Sequence, residues 1–329
     1  MKPGKLPPEH LDKLVLSRLG PSRPEVLLGA AFGEDSAVLD LGDSLLVAST
    51  DPLTGATSDA GWLAIHVACN DVAAHGAEPV GILLTVLLAP GSSEKDLEAI
   101  MDGVLRAASG LNVEVLGGHT EITPGLEQTI ISTTALGKAP RGRDLITSGS
   151  LRPGDSLFLT KGAGLEGTAI FAGDIPERLE GLEAGLLERA RAFMEEISVV
   201  PEAMAARECG ATAMHDVTEG GVLGAVYEMV TASGVGAEIW SERIPIRSET
   251  KAICRVLSVD PLRLIGSGSL LIGTPDPEEL SDCLEDLGVE FGVIGHITEE
   301  RGVFMVRPGK REAVEPPSSD ELWRILGEG

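Results

Sequence analysis

Apolar residues follow both helical and extended spacings along the chain, which predicts a mixed architecture. Between residues 97 and 108 they recur at helical spacing, and Ser93 with Asp96 forms a capping-box pattern just before this helix. A second helix is predicted over residues 60–75, with Asp59 as its cap. Residues 80–88 are apolar throughout, which predicts a strand buried on both faces.

The middle of the chain predicts a boundary between two domains. Residues 137–154 contain few apolar side chains and several Gly, Pro and Arg residues. Strands and helices are predicted on both sides of this segment. We therefore expect an α+β protein with one domain over residues 1–145 and another over residues 146–329.

Charge and composition exclude several classes of partner. The 329-residue chain has a net charge of −25, so nucleic acid and anionic membranes are not expected to bind it. A nucleotide could still bind if Mg²⁺ held by carboxylates bridged its phosphates. No signal peptide or membrane span is predicted, and the four cysteines form no CxxC pair, so we expect reduced thiols in a cytoplasmic protein.

The segment from residue 113 to residue 125 concentrates candidate chemistry. A short apolar strand is predicted to end at Gly117 and Gly118, where a backbone without side chains lets a ligand come close. His119, Thr120 and Glu121 follow directly and offer a base or metal ligand, a hydroxyl and a carboxylate. An ordinary strand-to-loop exit with surface polar residues explains the same pattern equally well.

Acidic residues elsewhere in the first half favour a site for a hard cation. Asn70 and Asp71 interrupt a mostly apolar helix, and a buried carboxylate is costly unless it is paired or bound to a cation. Oxygen ligands of this kind suit Mg²⁺. Asp35 and Asp51 are flanked by Gly and Pro, so turn formation is the alternative for them, and a solvent-facing polar stripe is the alternative for Asn70 and Asp71.

Other familiar sites fit poorly. His66, Cys69 and His75 do not have the spacing of a structural zinc site. The glycine-rich loop after Lys161 lacks the Gly-Lys-Ser/Thr of a P-loop. His215 and Asp216 form either an acid–base pair or a polar exit from a strand.

Five segments in order resemble the aminoimidazole ribonucleotide (AIR) synthase superfamily, which includes thiamine-monophosphate kinase, selenophosphate synthetase and the hydrogenase-maturation protein HypE. The match covers nearly the whole chain. The segments are Gly-Glu-Asp-Ser-Ala-Val (33–38), Thr-Asp-Pro (50–52), Asn-Asp-Val-Ala-Ala-His-Gly-Ala-Glu-Pro (70–79), Gly-Gly-His-Thr-Glu (117–121) and His-Asp-Val-Thr-Glu-Gly-Gly (215–221).

The resemblance implies an N-terminal domain whose mixed sheet joins that of a second copy into a barrel, and a C-terminal α/β sandwich. It also implies ATP and Mg²⁺ in a cleft near that homodimer interface. The predicted metal ligands are Asp35, Asp51, Asp71 and Glu121, and the predicted catalytic residues are Asp71, His119 and Asp216. The predicted nucleotide contacts are Asp35, Asp51, Asn70, Gly117, Gly118, Thr120, Lys161, Gly162, Gly164, Glu219 and Gly220.

Two residues depart from the family pattern. Glu34 stands where the family usually has an Asp, and its longer carboxylate is still expected to reach a cation. His119 stands where several members have an acidic residue, so Glu121 is expected to bind metal in its place.

The resemblance is strongest to HypE, which implies an ATP-dependent enzyme that activates a carbonyl, amide or phosphate oxygen of a small substrate. HypE modifies its own C-terminal cysteine, whereas the last cysteine here is Cys283. The alternatives are a non-catalytic nucleotide-binding regulator, with a maturation protein as partner, and a purine-pathway synthase. Selenophosphate synthesis is disfavoured because no cysteine precedes Cys69.

Overall fold

A computed structural model of the chain describes residues 8–20, 23–54, 59–141, 145–316 and 320–327. They form two domains, each built on one sheet with helices packed against it. The predicted α+β class with two domains is therefore confirmed.

The first domain is a six-stranded mixed sheet in the order β1-β2-β3-β6-β4-β5. Most neighbouring strands are antiparallel, but β4 and β5 run parallel. The strands are β1 (Val26–Leu28), β2 (Ala37–Asp40), β3 (Ser44–Leu53), β4 (Glu78–Leu88), β5 (Glu114–Ile122) and β6 (Ile130–Pro140). The helices are α1 (Pro8–Leu14), α2 (Ala60–Ala74) and α3 (Glu94–Leu111).

Helices α2 and α3 cover only one face of this sheet. Burial therefore alternates along β4, with Val80 and Leu83 exposed and Ile82 and Leu84 buried. The prediction that this strand is buried on both faces is wrong for the single chain. An apolar outer face remains uncovered.

The second domain is a seven-stranded sheet in the order β13-β12-β9-β11-β7-β10-β8. The strands are β7 (Ser156–Thr160), β8 (Ala213–Asp216), β9 (Gly236–Trp240), β10 (Leu270–Thr274), β11 (Phe291–Thr298), β12 (Gly302–Arg307) and β13 (Lys310–Ala313). The helices are α4 (Leu165–Asp174), α5 (Ala184–Ala192), α6 (Val200–Glu208), α7 (Gly221–Ser233), α8 (Ser248–Leu257), α9 (Pro277–Leu287) and α10 (Glu321–Leu326).

Of the two predicted helix caps in the first domain, one is confirmed. Ser93 and Asp96 bond reciprocally as a capping box at the start of α3. Asp59 precedes α2 but has a left-handed backbone and makes no side-chain cap. Its carboxylate accepts a hydrogen bond from Arg106 on α3 instead.

The glycine pair does not end a strand. β5 continues through Gly117 and Gly118 to Ile122 as the edge strand beside β4. A Cβ atom on Gly118 would lie 1.7 Å from the carbonyl oxygen of Leu84. The absence of a side chain at Gly118 thus serves strand pairing, which corrects the predicted strand end at this point.

Helix α2 joins the two domains. The indole Nε1 of Trp62 donates to the carbonyl of Met194, and the amide of Asn70 bonds to Ile197 and Val199. The side-chain amide of Asn70 thus both donates and accepts a hydrogen bond, which fixes α2 against the segment that precedes α6. This contact places Asp71, the next residue, beside the second domain.

Two cysteines differ from the expectation of reduced thiols. Cys209 and Cys283 form a disulfide between the end of α6 and α9, whereas Cys69 and Cys254 are free and buried. Among the described segments, no helix has both the length and the apolar character that crossing a bilayer requires.

Candidate functional site: a buried acidic cluster between the domains

Four aspartates from separate parts of the chain share one electrostatic environment. Asp35 precedes β2, Asp51 lies on β3, Asp71 lies on α2 and Asp216 ends β8. Burial, followed by the charges of Asp216, Asp51 and Asp35, holds the pKa of Asp71 well above its usual range. The fold therefore brings three of the predicted metal ligands together with Asp216, and two of these four aspartates, Asp71 and Asp216, are predicted catalytic residues.

Asp71 is the most enclosed residue contributed to this cluster by the first domain. It is 3% exposed, and its Oδ2 accepts a 2.6 Å hydrogen bond from the hydroxyl of Ser49. Ser49 also donates to the backbone carbonyl of Asp35. This hydroxyl thus ties α2 to the loop before β2.

His215 carries positive charge into the cluster. Its Nδ1 lies 2.9 Å from Asp35 Oδ2 and 3.8 Å from Asp216 Oδ1, and its Nε2 lies 3.1 Å from Glu228 Oε2. Burial alone would lower its pKa, but the charge of Asp35 and the bonds to its acidic neighbours hold the pKa of His215 well above the usual value. An imidazolium at this position offsets part of the local negative charge.

Asp216 has the least satisfied carboxylate. It is fully buried, and within the described parts of the chain neither of its oxygens accepts a hydrogen bond. Burial is the main reason that the pKa of Asp216 is raised. One ligand atom each from Asp35, His215 and Asp216 lie within 4.8 Å of one another. The buried oxygens of Asp216 suit a hard divalent cation, so the carboxylates of Asp216 and the neighbouring Asp35 fit Mg²⁺, with His215 beside them.

Glu34 connects the segment between the domains to His75, next to the cluster. Its oxygens accept hydrogen bonds from the backbone amides of Ser148 and Gly149, and one lies 3.3 Å from His75 Nε2. His75 Nδ1 bonds in turn to the carbonyl of Asp71. Glu34 was expected to reach a cation, but these bonds instead hold the interdomain segment against α2.

The residues around the glycine pair lie elsewhere. His119 and Glu121 are exposed on β5 and contact each other at 3.1 Å. Thr120, Gly117 and Gly118 are exposed on the same strand. Within the described residues, no hydrogen bond or ion pair links His119 or Glu121 to the four aspartates. Their assigned roles stay predictions.

Two other predicted contacts have structural partners within the chain. Lys161 Nζ donates to the carbonyls of Glu196, Ser198 and Gly268 and forms a 2.7 Å ion pair with Glu202. Asn70 holds the interdomain segment described above. Neither side chain is aimed at solvent, so a direct contact with phosphate also stays a prediction for both.

The remaining predicted contacts line loops of the second domain. Gly162 and Gly164 lie in the buried turn between β7 and α4. Gly220 is the residue just before α7 and donates its amide to Asp320, which is 3% exposed and also accepts from Ile265 and Leu322. Glu219 accepts from the indole of Trp323 on α10. The C-terminal helix therefore packs directly against the Glu219–Gly220 loop.

Sequence reasoning missed Ser49 and Glu228. Ser49 continues the buried alternation of Leu45 and Val47 on β3, so its polar side chain at a buried position was a usable signal. Glu228 lies on the mostly apolar helix α7, and only the fold turns it toward His215.

Comparison with known proteins identifies the domains that carry this site. The model of the N-terminal domain of AIR synthase related protein matches residues 33–139, and that of the C-terminal domain matches residues 152–307. Carbamoyl dehydratase HypE of Azotobacter vinelandii is 30% identical, covering 88% of this chain and 87% of that protein.

Solved structures show the same arrangement of domains. HypE of Escherichia coli superposes with a TM-score of 0.75 at 26% identity, covering 92% of this chain and 96% of that one. A HypE structure in complex with ATP superposes with a TM-score of 0.68 at 21% identity, covering 95% and 93% of the two chains. At that identity the second likeness concerns the fold alone.

Proposed function

We propose that this chain, which belongs to the family of AIR synthase related proteins, is an ATP- and Mg²⁺-dependent enzyme. The proposed reaction activates a carbonyl, amide or phosphate oxygen of a small substrate by phosphoryl transfer. A relative that is 30% identical, the carbamoyl dehydratase HypE of Azotobacter vinelandii, supports this class of chemistry.

The observation that carries the proposal is the pair of buried, unbonded oxygens of Asp216 beside Asp35 and Asp71. Buried carboxylates such as those of Asp71 and Asp216, with further carboxylates beside them, are unfavourable unless a cation joins them. In a chain with net charge −25, the phosphates of a nucleotide need the same cation.

The chain's own residues have separable roles in this proposal. Asp35, Asp51, Asp71 and Asp216 would hold the cation, which offsets the negative charge of the phosphates when bound. His215 orients Asp35 through its 2.9 Å contact. Phosphoryl transfer depends mainly on such positioning and charge compensation.

A homodimer is part of the proposal. The outer face of the first sheet exposes Val80, Leu83 and Leu116 by 38% to 50%. Large apolar side chains that share one exposed face favour an interface. Burial of this face against the same face of a second copy would form the predicted barrel. A maturation protein as a further partner and a cytoplasmic location also stay part of the proposal.

The test is binding of a non-hydrolysable ATP analogue with Mg²⁺, measured by calorimetry. Asp71→Asn removes a cation ligand and is expected to abolish Mg²⁺-dependent binding. Asp102→Asn, an exposed carboxylate on α3, is the matched control and should bind like the wild type. Equal affinity in all three proteins would remove Asp71 from the metal site.

A nucleotide-binding regulator is the second candidate. It is favoured by the position of His119, which is 63% exposed and bonded only to Glu121 among the described residues. Incubation with ATP and Mg²⁺ and candidate amides distinguishes the two functions. ADP formation supports the enzyme, and tight binding without turnover supports the regulator.

A further inference from the structure

A separate cavity of about 490 Å³ lies between the domains, behind the acidic cluster. The end of α2, the paired ends of β3 and β6, the segment before β7 and the end of α6 enclose it. Its volume falls within the range of about 300–1,000 Å³ that small-molecule sites occupy. The described part of its wall includes none of the four aspartates.

The wall combines apolar surface with two guanidinium groups. Leu45, Ala139 and Ile146 contribute apolar side chains, and Arg152 and Arg207 contribute the charges. The chain has 26 basic and 51 acidic residues, so a cavity with two arginines runs against its overall charge. Such a local reversal favours an anion as the ligand.

The two arginines differ in the hydrogen bonds and ion pairs that their side chains already make within the protein. Arg207 donates to the carbonyl of Gly76 and to Glu208, a side chain that is 51% exposed. Arg152 is exposed, and within the described ranges its side chain makes no ion pair. Arg152 therefore has its donors available, while Arg207 is held in place as part of the wall.

We propose that this cavity binds a small organic phosphate, independently of the acidic cluster. Arg152 has donors available and binds the phosphate through paired, charge-assisted hydrogen bonds, while Arg207 stays bonded to Gly76 and Glu208 in the wall. The apolar wall accommodates a ring or short carbon skeleton, which inorganic phosphate would leave unfilled.

The cavity and the acidic cluster share a neighbouring side chain, so a ligand in the cavity can affect the cluster. His75 lines the cavity and also bonds to Glu34 and to the carbonyl of Asp71. Gly76, the next residue, accepts from Arg207. A ligand in this cavity thus lies beside His75, the side chain that braces the cluster.

The probe is phenyl phosphate, with benzyl alcohol as its uncharged counterpart, and binding to the full chain is measured by calorimetry. The wild type should bind phenyl phosphate and bind benzyl alcohol much more weakly. Arg152→Gln should weaken phenyl phosphate binding by about tenfold, since it removes hydrogen bonds to a charged group. Arg255→Gln, an exposed arginine on α8 outside the cavity wall, is the matched control and should bind like the wild type.

Asp71→Asn separates this inference from the proposed function, because it should keep phenyl phosphate affinity while losing Mg²⁺-dependent nucleotide binding. The inference is overturned by no binding to the wild type at millimolar phenyl phosphate, by equal affinity of Arg152→Gln and Arg255→Gln, or by loss of phenyl phosphate binding in Asp71→Asn. Equal affinity for the two probes overturns it as well, since phosphate would then not be recognised.

Discussion

At the scale of single residues, this protein buries carboxylates that ordinary proteins leave in water. Asp71 and Asp216 have raised pKa values because burial and neighbouring carboxylates both disfavour their charged forms. His215 compensates part of this charge from the edge of the second sheet. In the proposed function, a bound cation offsets the cost of burying these groups.

Cation binding should therefore release protons. Because Asp71 and Asp216 hold protons more tightly than ordinary carboxyls, Mg²⁺ must displace them at moderately acidic pH. We expect Mg²⁺ affinity to fall as pH is lowered. Calorimetry in two buffers of different ionisation enthalpy measures the protons released, and identical heats in both buffers would contradict the prediction.

Glu166 predicts a second dependence on pH. It is 3% exposed, and burial raises its pKa to about 7 from 4.5. A carboxyl whose pKa is higher in the folded state than in the unfolded state binds its proton more tightly in the folded protein. It therefore stabilises the fold fully below pH 4.5, and this contribution is lost as pH rises through about 7.

The variant Glu166→Gln tests this directly. It should raise the free energy of unfolding at pH 8 by at most about 3 kcal/mol and change it little near pH 4.5. Urea unfolding at several pH values measures the effect. Glu188→Gln, exposed on α5, is the control and should show no such trend. A similar change at both pH values would show that Glu166 does not titrate in this range.

At the scale of elements, β5 depends on a glycine for its pairing with β4. Alanine at position 118 would place a Cβ atom 1.7 Å from the carbonyl oxygen of Leu84, whereas at position 117 the nearest atom is 3.9 Å away. Gly117 and Gly118 have nearly the same φ angle, so the backbone strain that alanine introduces should be similar at the two positions.

Gly118→Ala should consequently destabilise the protein by several kcal/mol more than Gly117→Ala. Thermal unfolding of the two variants provides the measurement. Equal losses would mean that backbone strain, rather than the contact with Leu84, dominates.

The contact between α2 and the second domain depends on Asn70 and can be tested by substituting it. Asn70→Ala leaves the Ile197 carbonyl and the Val199 amide unpaired, which should cost about 2–3 kcal/mol of stability. Gln128→Ala, an exposed amide, is the control. Loss of nucleotide binding without loss of stability would favour the predicted nucleotide role of Asn70 over this structural one.

At the scale of the whole molecule, the first sheet of the single chain has one face that its helices do not cover. Leu83 is 43% exposed on β4, and a lysine there would place charge in the proposed dimer interface. Leu83→Lys should convert a dimer into a monomer. Light scattering after gel filtration measures this, with Leu287→Lys, 42% exposed on α9, as the control. A monomeric wild type would contradict the proposed dimer.

The sequence by itself determined the α+β class, the helix beginning at the Ser93 capping box and the acidic character of the site, because these follow from local spacing and side-chain chemistry. Asn70 and Asp71 stood out because polar groups interrupt an apolar helix. Only the tertiary structure decided that Asp35, Asp51, Asp71 and Asp216 meet, and that His119 and Glu121 lie on an exposed edge strand. The reason is that pairing order and domain contact join residues far apart in the chain, and no local pattern encodes those distances.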